Sequence, residues 1–201
     1  MAYNGIIDLV LNRNLRPGER TSVYLLAETL QLGRTPVREA INRLQHEGFL
    51  SVAGRSGTVV NSVDPAQARQ LFALRLSLEI FATEYAVANL ADDSLKELTH
   101  LVSRLGEAGT TAEFVRFNTE FHSALVDLAG NPTLSRFYAQ LQIQLLVVPY
   151  LAERGANPEA IQMRHGEHQA ILSALGKRDV AALKAAIRKH IHTTERAILG
   201  N

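Results

Sequence analysis

The feature that most limits how this chain can fold is a change of hydrophobic pattern at residues 61–65. Before it, short helical patterns end in a glycine-punctuated, β-branched stretch; after it, one long amphipathic helical pattern follows another. Between them, Asn61-Ser62-Val63-Asp64-Pro65 is polar and turn-like, as a connection should be. A chain of 201 residues suffices for two modest cores. The expected division is therefore a unit at 1–62 and a second at 66–201.

In the first unit, Ile6, Ile7, Val10 and Leu11 fit one helical face, and Arg16-Pro17-Gly18 breaks it. A second helix is predicted over Ser22–Leu30 and a third after Gln31-Leu32-Gly33. Thr35 reads as the N-cap of the third helix, Pro36 suits its first turn, and Gly48 suits its stop. Two short strands, Phe49–Val52 and Thr58–Val60, flank the turn Gly54-Arg55-Ser56-Gly57. The second unit reads as six helices, at about 66–90, 93–106, 111–129, 132–154, 158–176 and 179–199. Their short breaks favour antiparallel neighbours in a bundle. The expected fold is mainly α: a winged helix-turn-helix of three helices and a β-hairpin, then an all-helical bundle.

Composition narrows the functions. There is no cysteine, so disulfides and thiolate chemistry are excluded. No stretch reaches the roughly 20 apolar residues that span a bilayer, and the apolar start contains Asp8 and lacks a signal-peptide pattern. The expectation is a cytoplasmic protein. Residues 1–63 carry seven arginines, no lysine and five acids, a weak basic bias that alone would not point to nucleic acid. The order of elements says more. In a winged helix-turn-helix the recognition helix enters the major groove by its amino end. Arg34, Thr35 and Arg38 sit there, and an arginine can grip guanine through two hydrogen bonds. Arg55 and Gly57 at the hairpin tip would reach the backbone or the minor groove. The alternative is that these arginines are merely solvated.

In the bundle, Asn118 and His122 share a helical face, and Val115, Leu125 and Val126 turn His122 inward. His168 precedes Ile171, Leu172 and Leu175, and His190 follows Leu183 and Ile187. His192 lies among Arg188, Glu195 and Arg196 and should face water; His165 fits either side. Three inward histidines on three helices either converge on a metal or are hydrogen-bonded core residues.

The run from Gly33 to Leu50, Gly33-Arg34-Thr35-Pro36-Val37-Arg38-Glu39-Ala40-Ile41-Asn42-Arg43-Leu44-Gln45-His46-Glu47-Gly48-Phe49-Leu50, resembles the signature of the GntR family of transcription regulators, as does Pro17-Gly18-Glu19-Arg20 before it. The resemblance implies base contacts by Arg34, Thr35 and Arg38, supported by Arg20, Arg43, Arg55 and Gly57. It departs at Gly33, where serine is usual, and at Gln31, where a turn glycine is usual. The remainder is similar to the FCD type of effector domain: Arg75-Leu76-Ser77-Leu78-Glu79, Asn118-Thr119-Glu120-Phe121-His122, Gly130-Asn131, Glu167-His168-Gln169-Ala170-Ile171 and His190-Ile191. In metal-binding members one Asp and three His hold zinc or nickel, which helps bind a carboxylate effector. The matching positions are Asn118, His122, His168 and His190, so an amide stands where a carboxylate is usual. Arg75 matches an arginine that either pairs with the effector or forms an interhelical ion pair. The resemblance thus implies a homodimer on palindromic DNA, controlled by a small organic acid, and not an enzyme. The competing readings are a metal-dependent hydrolase built on the histidines and a ligand-independent DNA-binding scaffold.

Overall fold

A computed structural model describes residues 1–54, 57–151 and 158–200. The first helices are α1 (Ala2–Leu11), α2 (Val23–Leu30) and α3 (Arg34–His46). Ser22 opens α2 as its N-cap, its hydroxyl accepting from the Leu25 N–H at 3.2 Å. The turn into α3 places Gln31 in the left-handed region at φ 54, where a glycine would be less strained. The cap of α3 is Gly33 and not Thr35: the helix begins at Arg34, and no side chain caps it. Pro36 does lie in the first turn, where its missing N–H costs nothing. Gly48 follows the helix at φ 77.

Strands β2 (Leu50–Ala53) and β3 (Gly57–Val60) form the expected antiparallel hairpin. A two-residue strand that the sequence pattern did not predict, β1 (Arg20–Thr21), adds to its edge to give the order β1-β3-β2. Ile6, Val10, Val37, Ile41, Leu44, Phe49 and Val60 fill the core beneath.

The second part holds α4 (Pro65–Asn89), α5 (Asp92–Glu107), α6 (Thr111–Asp127), α7 (Pro132–Leu145), α8 (Pro158–Gly176) and α9 (Val180–Leu199). Asp64 with Gln67 and Thr110 with Glu113 build reciprocal capping boxes at α4 and α6, and Asn131 and Asp179 cap α7 and α9. Helix α7 is shorter than the pattern suggested: it ends at Leu145, and a tight 3-10 turn, Val148–Leu151, follows. The apolar side chains of this elbow explain the misreading. Leu146 and Val147 continue the hydrophobic run, but they bury into the N-terminal core rather than the bundle.

The two parts therefore share an interface. Tyr150 donates its hydroxyl to the Val10 carbonyl, Arg116 pairs with Asp8, and Gln144 Nε2 lies 3.5 Å from the Glu47 carbonyl. The connection at 61–65 is tied down as well: Asn61 donates to the Gly48 carbonyl at 2.8 Å, and Val63 packs on both cores.

Gly57 is required by the hairpin itself. A Cβ there would lie 2.5 Å from the Ala53 carbonyl oxygen, its partner across the ladder. Gly57→Ala should force the hairpin open and destabilise the protein by about 2 kcal/mol, read as a lower denaturant midpoint.

Candidate nucleic-acid interface and metal centre

Helix α3 buries Val37, Ala40, Ile41 and Leu44 on one stripe. Helical geometry then turns Arg34, Thr35 and Arg38 outward, and all three are exposed. The Arg34 guanidinium lies 5.4 Å over the Tyr24 ring. With glycine as its cap, the helix leaves its first N–H groups free of side-chain acceptors and able to meet a phosphate. Arg20 is exposed on β1, next to the wing. Arg43 is more committed: its Nε donates to Glu47 Oε1 at 2.9 Å, and its guanidinium sits 4.1 Å over the Tyr3 ring. Arg55 lies outside the described residues.

In the bundle, α6, α8 and α9 bring His122, His168 and His190 together, each at most 1% exposed. His122 Nε2 is 3.2 Å from His168 Nε2 and 3.1 Å from His190 Nε2; Asn118 Oδ1 is 3.0 Å from His168 Nε2. All four sequence-selected residues thus converge. His192 has a side chain 54% exposed, as expected. His165 packs against Gly106, away from the cluster: its imidazole would lie 2.8 Å from a Cβ on that glycine.

The opposite ring nitrogens show what this cluster suits. His122 Nδ1 donates to Glu79 Oε2 at 3.0 Å, His190 Nδ1 to Glu167 Oε2 at 3.1 Å, and His168 Nδ1 to the Arg164 carbonyl at 2.7 Å. A carbonyl and two carboxylates can only accept, so each ring carries its proton on Nδ1. The neutral rings then aim three Nε2 lone pairs at one another. Burial first, and then the neighbouring rings, lower the pKa values of His168 and His190 well below the ordinary range, so they are neutral at pH 7. Lone pairs about 3 Å apart repel unless a cation lies between them. The donor set therefore fits a divalent metal: three imidazoles and an amide oxygen, with outer hydrogen bonds that fix ring orientation.

Beside the cluster lies a cavity of about 60 Å³, bordered by Asn118, Arg75, Arg164, Gln142, Thr194 and apolar neighbours. Among the described residues, four buried side-chain polar atoms find no partner, and three of them belong to residues that line this cavity: Arg75 Nη2, Arg164 Nε and Thr194 Oγ1. The Arg75 ion pair is within its own helix, Nε to Glu79 Oε1 at 2.7 Å, rather than between helices. Glu79 accepts from Arg75, His122 and Tyr138 together. Burial would raise its pKa, but the hydrogen bond from His122 and the charge of Arg75 prevail and hold it well below the usual carboxylate range.

Sequence reasoning passed over Glu79, Tyr138, Arg164, Glu167 and Thr194 as site residues. Two of them carried a signal: Glu79 stands one helical turn after Arg75, and Glu167 directly precedes His168. The others lie on faces whose partners only the tertiary packing supplies.

In metal-free protein the neutral histidines make stability depend on pH. Their folded pKa values lie below the unfolded value of about 6.5, so their contribution is complete above that pH and is lost as pH falls through it. Glu79 extends the loss below the ordinary carboxylate pKa; Glu167, raised by burial, opposes it just above that pKa. The melting temperature after chelation should drop steadily from about pH 7 to 5. A flat profile by calorimetry would contradict buried neutral rings.

Residues 1–60 match the bacterial regulatory proteins of the gntR family, and residues 70–193 match the FCD domain. The HTH-type transcriptional regulator McbR of Escherichia coli is 30% identical over 168 residues, covering 82% of this chain and 76% of McbR. The Nta operon transcriptional regulator of Aminobacter aminovorans is 28% identical, covering 91% of this chain and 86% of that protein. The solved structure of E. coli McbR/YncC superposes with a TM-score of 0.85 at 28% identity, over 99% of this chain and 95% of that one. A metal-free FCD domain of TM0439, at 16% identity and a TM-score of 0.59 over 70% of this chain and 96% of that one, shares the fold of the bundle. Among the described residues no helix is long and apolar enough to cross a membrane. A winged helix-turn-helix with an outward arginine pair, a helical bundle around a histidine cluster, and matches to both halves lead to one conclusion: this chain belongs to the GntR family of DNA-binding transcriptional regulators, with an FCD domain.

Proposed function

We propose that this regulator is controlled by a small organic carboxylate, bound beside a divalent metal in the bundle. The first domain, 1–62, reads DNA; the second, 66–201, binds the effector and pairs two copies. The observation that carries the effector reading is the combination of three facing Nε2 lone pairs with three unpartnered donors around the adjoining cavity. A buried donor without a partner costs about 1–3 kcal/mol, which a bound anion recovers. A carboxylate suits the pair Arg75 and Arg164, whose guanidinium groups offer charge-assisted hydrogen bonds. His122, His168, His190 and Asn118 would hold the metal, and zinc or nickel suits such nitrogen-rich ligands. The metal, when bound, supplies a positive charge that attracts the carboxylate. The residues do the rest: Arg75 and Thr194 orient the anion, and Phe72, Phe114 and Val148 keep the remaining wall apolar.

At the DNA end, Arg34, Thr35 and Arg38 meet or lie near base edges, Arg20 lies against the backbone, and the wing with Arg55 and Gly57 follows the duplex. The Arg43–Glu47 pair makes Arg43 a weaker contributor. A two-fold dimer would place two such helices on a palindrome, in the cytoplasm where the chromosome lies. A hydrolase is disfavoured because both carboxylates beside the histidines, Glu79 and Glu167, already accept hydrogen bonds from imidazole Nδ1 atoms and so are not free as general bases.

Two measurements test this. The Arg34→Ala/Arg38→Ala double variant should lose about 100-fold in affinity for a duplex selected by the parent from a random pool. Its melting temperature should not change, because both side chains are exposed. Unchanged anisotropy titrations at fixed salt would remove the recognition-helix reading. Separately, zinc titrated by calorimetry should bind the parent, and Asn118→Asp should bind it about tenfold more tightly or better, since a carboxylate replaces a neutral donor. A parent that neither takes up zinc nor gains thermal stability from it would remove the metal reading.

A further inference from the structure

The elbow at the end of α7 touches both functional ends of the molecule. On one side, Tyr138 donates to Glu79 Oε1 at 2.6 Å, and Gln142 Nε2 donates to the Tyr138 oxygen at 2.8 Å. Glu79 in turn holds the His122 ring. Two hydrogen bonds thus run from the histidine cluster to α7, and a third continues along that helix. On the other side, Gln144 lies against the carboxyl end of α3. Its Nε2 is 3.5 Å from the Glu47 carbonyl and would be 3.2 Å from a Cβ on Gly48. Six residues separate Tyr138 from Gln144, about 9 Å along a helix. The recognition helix and the second layer of the histidine site are therefore attached to one rigid rod.

The cavity wall is shared in the same way. Leu145, Leu146, Val148 and Pro149 border the 60 Å³ cavity. Leu146 and its neighbour Val147 are also buried members of the N-terminal core, and Tyr150 donates to the Val10 carbonyl. Val115 on α6 likewise borders the cavity and packs on that core. A volume of 60 Å³ holds roughly four waters, so an acid larger than acetate either moves a wall or extends towards solvent. The elbow leaves α-helical geometry for a 3-10 turn, a common place for a hinge. Across the junction, a cleft of about 560 Å³ lined by Gly48, Phe49, Asn61, Gln67 and Gln144 leaves room for the N-terminal unit to tilt.

We propose that the elbow Gln142–Tyr150 is the element that transmits occupancy of the histidine–cavity site to the recognition helix. The inference rests on reading that site as a ligand site, and it adds the route and the side chains. Occupancy shifts Glu79, Tyr138 and the cavity face of the elbow; Gln144, Leu146 and Val147 pass the shift to Glu47, Gly48 and Phe49. Such coupling acts only through a difference in ligand affinity between two elbow positions.

Hydrogen exchange of the full chain provides the test, with zinc plus acetate as the probe. In the parent, the probe should change exchange across residues 44–50 several-fold. Gln144→Ala should take up zinc as the parent does, by calorimetry, yet lose most of that change. A Gln144→Ala protein that binds zinc and passes on the full change overturns the proposal. A second arm needs no ligand. Tyr138→Phe removes only the hydroxyl that joins α7 to Glu79, and it should alter exchange at 44–50. Leu98→Ala, an equally buried change on α5, a helix that packs on α6 and α8, should not. Equal effects from both variants, or none from Tyr138→Phe, overturn the proposal. A parent that takes up no zinc sinks the metal reading instead, and the second arm then decides the elbow on its own.

Discussion

Three imidazoles that all carry their proton on the outward nitrogen set the terms for the whole bundle. Glu79, Glu167 and the Arg164 carbonyl can only accept hydrogen bonds, and they dictate that tautomer. The inward nitrogens are then lone pairs facing lone pairs at about 3 Å. A fold that sought stability alone would fill this position with leucine, because packed apolar side chains serve a core better than a half-satisfied polar network. The surrounding structure bears that cost in several ways. Tyr138 and Arg75 saturate the second oxygen of Glu79, Gln142 supports Tyr138, and Phe121 meets two of the rings edge-on. The site is over-determined from outside, which holds its inner donors in place before any ligand arrives.

Much of this was legible in the sequence because it is local. The helix-turn-helix rests on period and punctuation: Pro36 in a first turn, Gly48 at a stop, and an apolar stripe from Val37 to Leu44 that forces Arg34 and Arg38 outward. The inward histidines could be read the same way, since each lies on a stripe with leucines or isoleucines. What escaped was decided by tertiary context. Two residues pairing with the wing as β1 carry no pattern of their own. Thr35 is an excellent capping residue by type, but the chain enters the helix one residue earlier, and Gly33 takes the position. The end of α7 was hidden because Leu146 and Val147 are as apolar as a continuing helix would be; only their burial in the other core reveals the bend.

Arg75 departs from the interhelical pair that the sequence offered as one reading. Its Nε belongs to a pair with Glu79, and its Nη2 is buried without a partner, on a residue that lines the cavity. The pairing is local, four residues along one helix, so it leaves the far edge of the guanidinium free. That division suits a residue that must stay ordered without a ligand and still meet one.

Charge balance then ties Asn118 to the kind of ligand the site can accept. Around the cavity and the histidines, two guanidinium groups, Arg75 and Arg164, stand against two carboxylates, Glu79 and Glu167. These cancel, and the rings and Asn118 are neutral. A dication in this setting brings two positive charges into a buried space with no carboxylate ligand of the protein to offset them. Burying uncompensated charge is among the most costly arrangements a protein can adopt. An Asp at 118 would halve the excess in every state of the protein; an amide leaves all of it to whatever enters the cavity. Metal and anion should therefore bind cooperatively, each reducing the cost of the other, and the affinity for either alone understates the affinity for the pair. On the proposed reading, such a site would respond to the acid more sharply than one whose own carboxylate already satisfies the metal.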